Sequence, residues 1–360
     1  MDTSALNIYF NNEGFCNYCE DYINSTSLVL NESSQALEEN LNKIIAQIKN
    51  AGKNNKYDCI VGISGGVDSS WMLKKSIELG LRPLAVHMDN GWNSELAQNN
   101  ISNLVNSLNI DLYTWVIDWE EYRNLMNAFF KANVIDVELL YDNAMLAVNY
   151  RIAKKFKVKY ILGGFNISTE GIKGPPNWNW YKFDKRNIKS IANIYGHQKL
   201  QTFPSLGTIS LFNYVYLHRI KWLSILDLVN YSKDNALEEL QKNFNFKPYP
   251  YKHYESIFTR FYQGFLLPRK FGVDKRKLHL STLILSGQLT RENALELMVS
   301  DPYLSKAELD LDKKYFLKKM KWTESDLEMY LQTPEISHLA YKSEKPLRDL
   351  LFNLKNYLKI

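Results

Sequence analysis

Three cysteines in 360 residues are too few for a disulfide framework, so the chain reads as a reduced, cytoplasmic protein. No apolar run reaches transmembrane length, and the first residues do not read as a signal peptide. Neither sign of charge dominates: 44 Lys and Arg against 39 Asp and Glu leave +5. That excess suits small anionic molecules, and it is too interspersed to indicate a nucleic-acid groove. Internal repeats and low-complexity linkers are lacking as well. Hydrophobic residues make up 45%, enough for a substantial core, which predicts one large α/β domain with appended elements.

What is present concentrates at Tyr57 to Ser70, YDCIVGISGGVDSS. The apolar, β-branched run to Ile63 predicts a buried strand. Ser64, Gly65 and Gly66 then turn the backbone, Val67 completes the loop's anion-binding run, and Asp68, Ser69 and Ser70 open a helix that stops at Gly80. Strand, small-residue loop and helix N-terminus together form an anion site, because unpaired N–H groups and the positive helix end face it. The Walker A lysine is missing: the first lysine is Lys74, a turn into the helix. Hydroxyls and backbone amides therefore do the cradling, as suits a pyrophosphate that leaves whole. Ser64 to Ser70 resembles the PP-loop of the ATP pyrophosphatase superfamily, whose members activate a carbonyl oxygen with AMP and release pyrophosphate.

Strands and helices alternate around this loop. A capped helix begins at Ser33 or Ser34 and ends at Gly52; strands follow at Leu84 to Met88, Leu112 to Ile117 and Tyr160 to Leu162, with helices over Ser94 to Leu108 and Val137 to Phe156. Such alternation predicts a parallel, doubly wound sheet with ligands at the carboxyl ends of its strands. There, the backbone at His87 and Met88 can bond an adenine edge, Asp89 can face phosphates or magnesium, and Gly163 and Gly164 allow close approach of a ribose or phosphate. After Gly171 the alternation is expected to stop. The expected divisions are a CxxC segment at 1–33, an ATP-binding domain at 34–171, and an aromatic-rich, largely helical region at 172–360.

Two blocks in that last region carry further chemistry. Trp178, Trp180 and Tyr181 stand among Lys182 and Asp184, a composition that suits sugar faces or a nucleobase and equally suits a small satellite core. Basic residues at 269, 270, 275, 276 and 277 flank a turn at Gly272. They can neutralise phosphates, or they are solvated surface charge.

With Met1–Ser4, the Gly14 to Cys19 segment, the Lys252 to Arg276 stretch and its continuation through His279 and Ser286 to Glu292, the chain resembles the N-acetyl sugar amidotransferase family of bacterial surface-polysaccharide and flagellar-glycan pathways. The resemblance implies conversion of the acetamido group of a nucleotide-linked N-acetyl sugar to an acetamidino group. ATP and Mg2+ are the implied cofactors. It also implies substrate roles for Trp178, Trp180, Tyr181, Lys182, Asp184, His253 and Glu255. Lys270, Lys275 and Arg276 would act at the phosphates with Asp68, and Asp68 or Asp89 would hold magnesium.

No Gly-x-Cys-x-Gly elbow and no cysteine at position 2 are present, so ammonia is expected from a separate glutaminase through a barrel-type channelling subunit, as the resemblance implies. Cys16 and Cys19 form one CxxC, half of a structural Zn2+ site. The resemblance implies a second CxxC just upstream of the segment matching Met1–Ser4. This chain starts at that point, so either its start is shortened or the metal site is absent. Two rival readings share the loop: a tRNA-thiolating enzyme, and a non-catalytic nucleotide-binding scaffold for a glutaminase.

Overall fold

The structure is a computed structural model that describes residues 1–30, 32–229, 231–250, 254–303 and 305–358, with side chains at all of these except 27–30 and 352–358. Its centre is a sheet of five parallel strands: β1 (Cys59–Gly62), β2 (Pro83–Asp89), β3 (Leu112–Val116), β4 (Tyr160–Leu162) and β5 (Lys221–Leu223). Their order is β3-β2-β1-β4-β5. Cys59 stands opposite Pro83 on one side of β1, and Ile60 opposite Ile161 on the other. Side chains alternate across each strand. Cys59 and Val61 face one apolar layer with Leu41, Ile48, Leu73 and Leu104, while Ile60, Val86 and Ile161 face a second with Phe129, Ala144 and Val148. Helices therefore cover both faces, and the fold is the doubly wound α/β class the alternation predicts.

The helices before β4 are α1 (Asn17–Leu30), α2 (Ser34–Gly52), α3 (Val67–Glu78), α4 (Glu95–Leu108), α5 (Trp119–Lys131) and α6 (Leu139–Lys155). Ser33 caps α2 by accepting from Ala36 N, and Ser94 caps α4 by accepting from Ala97 N, both at 3.2 Å. Helix α3 differs: its N-cap is Gly66, which has no side chain to offer. The chain winds outward from β1 to β3 and returns through α5 and α6 to β4 on the other side of β1. That reversal opens a crevice at the carboxyl ends of β1 and β4.

The alternation does not stop at Gly171. Lys221–Leu223 is a fifth parallel strand beside β4, with Tyr160 opposite Lys221. It is three residues long with an exposed first residue, too short to leave an apolar run. Among the described residues the region 172–360 also has no core of its own. One apolar cluster runs from Ala5 through the sheet to Phe316, Leu327 and Tyr341. Phe130 of α5 lies 5.0 Å from Trp322, 5.1 Å from Tyr330 and 5.6 Å from Phe316, ring centre to ring centre. Phe316 is fully buried. Phe316→Ala is expected to cost about 3–5 kcal/mol, read as a lower midpoint in a single urea transition. A mutant that loses only a separate, minor transition would show that the late helices fold apart from the sheet.

Candidate active site

The loop after β1 is shaped by two glycine requirements. Gly65 has φ +85°, and a Cβ there would lie 2.7 Å from Ala97 O, so α4 packs directly on the turn. A Cβ on Gly164, in the loop after β4, would lie 2.8 Å from Ser69 N. The loop after β4 thus touches the first turn of α3 through backbone. Hydroxyls set the turn from inside: Ser69 Oγ accepts from Ser64 N and donates to Gly66 O, both at 3.2 Å, and Ser64 Oγ accepts from Gly66 N at 3.3 Å. Tyr249 donates to Gly65 O at 2.9 Å. The start of α3, lacking a capping side chain, opens on a cleft of about 440 Å³ lined by Ser64, Gly66, Val67, Asp68, Ser69, Met88, Gly163 and Gly164.

Gly65 serves the turn rather than the wall. Ser70 is buried behind it, its Oγ without a hydrogen-bond partner among the described residues. Asp68 faces the cleft with one oxygen, Oδ1, accepting from the Tyr231 hydroxyl. Burial, then that carboxylate, push the Tyr231 hydroxyl far above its ordinary range, so it stays a donor. His87 and Asp89 lie outside the cleft lining, which corrects the expectation for both. His87 is buried; its Nδ1–H donates to Ile63 O and its Nε2 accepts from Asn93 Nδ2, each at 3.0 Å. Asp89 Oδ1 accepts from Gly91 N at 2.8 Å and from Asn93 Nδ2 at 3.3 Å. Both shape the turn after β2.

That turn pairs with the later chain: Ser94 N donates to Glu255 O and Ile257 N to Trp92 O, both at 2.9 Å. The pairing sets Glu255 over the loop, where its Oε1 would be 3.7 Å from a Cβ on Gly66. Among the described residues the charged ones lining the cleft are Asp68, Glu170, Glu255 and one lysine, Lys233. A lining this acidic repels a bare polyphosphate. Nucleotide sites commonly hold Mg2+ by one or two carboxylates plus phosphate oxygens, and Asp68 and Glu255 fit that arrangement. Among the described residues no group of three His, Cys, Asp or Glu is placed to hold a metal by itself. Cys16 and Cys19, whose sulfurs are 3.2 Å apart, likewise gather no further ligand among the described residues, and a structural zinc site needs four.

A second cleft of about 510 Å³ adjoins the first and shares Glu170, Lys233 and Pro250 with it. Lys275, Arg276, Arg260, Gln263 and His279 line it. Lys275 pairs with Glu138 at 2.7 Å and Arg276 with Asp274 at 2.8 Å. Both sit in this second cleft and not against the loop. Lys270 reaches neither cleft. Its Nζ donates to Asn133 Oδ1 at 3.0 Å and Thr333 O at 2.6 Å, and burial lowers it to about 8. A role at the phosphates is therefore corrected to a tie between two chain segments.

The aromatic block is part of the main apolar core, not a platform on either cleft. Trp178 is 1% exposed and donates to Ser4 O at 3.2 Å. Trp180 stacks on His338 at 4.8 Å and donates to Asp184 Oδ2 at 2.9 Å. Asp184 is buried and caps the helix Lys185–Tyr195 by accepting from Asn187 N at 2.9 Å. Tyr181 meets Thr208 Oγ1 at 3.2 Å, and Lys182 spans Asp136 at 2.6 Å and Asp142 at 2.9 Å. His253 falls outside the described residues. Sequence reading passed over Glu170, Tyr231 and Lys233, which stand singly in polar stretches with no motif around them.

Residues 255–356 match a family model described as "LPS biosynthesis protein WbpG-like, C-terminal domain". No curated protein matches. An NMN synthetase from Francisella tularensis is similar at 14% identity and a TM-score of 0.34, over 81% of this chain and 98% of that one. An NH3-dependent NAD synthetase from Campylobacter jejuni, in complex with the nitrate ion, is similar at 15% identity and a TM-score of 0.36, over 85% and 99%. At such scores the fold assignment rests on the strand order alone.

His338 gives the block a pH signature. Its Nδ1–H donates to Asn187 Oδ1 at 2.8 Å, and its Nε2 accepts from Asp136 N at 3.3 Å. Burial lowers it from 6.5 to about 4. Below the unfolded value the unfolded chain takes up a proton that the folded chain refuses, so stability falls as pH drops through this window. The loss is about 3 kcal/mol. Urea midpoints from pH 7 to 4 should fall less steeply in His338→Asn than in the wild type; equal slopes would contradict this assignment.

Proposed function

We propose that this chain is an ATP-dependent amidotransferase that adenylates the acetamido oxygen of a nucleotide-linked N-acetyl sugar and replaces it with nitrogen from ammonia. The observation that carries the reading is the pair of adjoining clefts, one built on Ser64 to Ser69 and the other on Lys275, Arg276 and His279. The match of residues 255–356 to a lipopolysaccharide-biosynthesis domain supports a surface-polysaccharide precursor as the acceptor. In this reading ATP occupies the first cleft with its outer phosphates at the start of α3, where N–H groups and the helix dipole favour anions. The sugar nucleotide occupies the second cleft.

An amide oxygen is a poor leaving group until it is phosphorylated. The acetamido oxygen attacks the α-phosphorus, the bond to the bridging oxygen breaks, and pyrophosphate leaves with that electron pair. Ammonia adds to the resulting imidate carbon, loses a proton, and AMP departs with the former acetamido oxygen to leave an amidine. Asp68, held by Tyr231, and Glu255 would hold magnesium, which supplies charge neutralisation for the polyphosphate when bound. Neutral ammonia needs no general base for its addition, and none is assigned. A separate glutaminase and a barrel-type subunit would deliver it unprotonated in the cytoplasm, sheltered from water. A thiolation route would need a reactive cysteine by the loop, but Cys59 is wholly buried and burial raises its thiol far above the reactive range.

The test is incubation with ATP, Mg2+, ammonium and a panel of UDP-linked acetamido sugars, with tRNA as the competing substrate. Pyrophosphate release that depends on a sugar, with amidine in the product, is expected; release dependent on tRNA would overturn the reading. Gly65→Ala forces a side chain onto a left-handed residue against Ala97. It should lose about 1–3 kcal/mol in kcat/KM for ATP, while its melting temperature shows whether the fold persists.

A further inference from the structure

Most of the charge lining the two clefts is already spoken for. Arg260 is bound at 2.5 Å to Asp312, Lys275 at 2.7 Å to Glu138, and Arg276 at 2.8 Å to Asp274. Lys233 is the exception. It is half-buried, lines both clefts, and has no carboxylate partner among the described residues. Its place is set by the helix Lys233–Phe244, which Ser232 caps. That helix is fastened to α3 just ahead of its start and again at its middle. The Tyr231 hydroxyl binds the Asp68 carboxylate just ahead of it, and Glu239 accepts from Trp71 Nε1 at 3.0 Å and pairs with Lys74. Lys233 is therefore held at a fixed distance from the start of α3, on the wall where one cleft passes into the other.

We infer that Lys233 is a catalytic residue whose ammonium group contacts the transferring α-phosphoryl group where the two clefts meet. The inference rests on the reading of the clefts given above: if ATP fills one and the acceptor the other, the atom passed between them must lie where both reach. Among the described residues that place is walled by Glu170, Lys233 and Pro250, of which only Lys233 is cationic. In the step, the acetamido oxygen forms its bond to the α-phosphorus as the bond to the bridging oxygen breaks. The electron pair of that bond leaves on pyrophosphate. Negative charge thus builds at the bridging oxygen and on the equatorial oxygens during transfer, and a cation fixed there is bound more strongly in the transition state than in the ground state. Lys275 and Arg276 are poorer candidates, because turning to the phosphate would strand the buried carboxylate of Glu138 and the half-buried carboxylate of Asp274.

The test compares wild type, Lys233→Met and Lys233→Arg with MgATP, ammonium and the same UDP-acetamido sugars. ATP binding is measured by calorimetry and the fold by thermal melting. Lys233→Met is expected to lower kcat for pyrophosphate formation about 100- to 1000-fold, as removal of a transition-state donor does, with melting unchanged and Kd for ATP shifted far less. Lys233→Arg should recover part of the rate. A Lys233→Met enzyme within about three-fold of wild-type kcat, or one altered only in KM for ATP, overturns the role of Lys233 and leaves the amidotransferase reading standing. A wild type that releases no pyrophosphate with any sugar removes that reading, and this role with it.

Discussion

The uncapped start of α3 is the constraint on which the rest of the site depends. Gly66 offers no side chain to the first turn, so those N–H groups need partners from outside the helix. Neighbouring backbone frames the opening from two sides: α4 touches Gly65 through Ala97, and the loop after β4 touches Ser69 through Gly164. Neither contact tolerates a Cβ. A turn this tightly enclosed holds its N–H groups in place before any ligand arrives, which is the preorganisation that makes fixed dipoles effective on a developing charge.

Charge is arranged around that opening with little redundancy. Among the described residues three carboxylates and one lysine line the first cleft, and the cations of the second cleft are mostly neutralised by Glu138, Asp274 and Asp312. In the proposed reading a polyphosphate would be accommodated by helix dipole, metal and Lys233 rather than by a broad basic surface. This agrees with an overall excess of only +5. The late helices contribute through packing. Phe258, Phe261 and Phe316 join the sheet core, and the pairing of Trp92 to Ser94 with Glu255 to Ile257 brings the later chain over the loop.

Much of the fold was legible because strands buried on both faces leave continuous apolar runs. Tyr160–Leu162 was readable to the residue, and the strand–loop–helix at Cys59 to Glu78 nearly so. Lys221–Leu223 was not, since three residues with one exposed lysine carry no pattern. The aromatic block shows a different limit: Trp178 and Trp180 have the same composition whether they stack on a sugar or fill a core, and only burial separates the two. The basic run shows a third. Gly272, with φ +67°, turns the chain between Lys270 and Lys275, so neighbours in sequence end in different places. Lys233 sits in an ordinary polar helix start, and its meaning comes wholly from the helix it is packed against.

The central claim is that the acceptor's own amide oxygen attacks ATP. The most direct measurement places oxygen-18 in the acetamido carbonyl of the UDP-sugar and follows it by mass spectrometry through one turnover with ATP and ammonium. The account predicts that the label leaves in AMP while the sugar product carries none. Label retained in the sugar, or unlabelled AMP beside an amidine product, would contradict it.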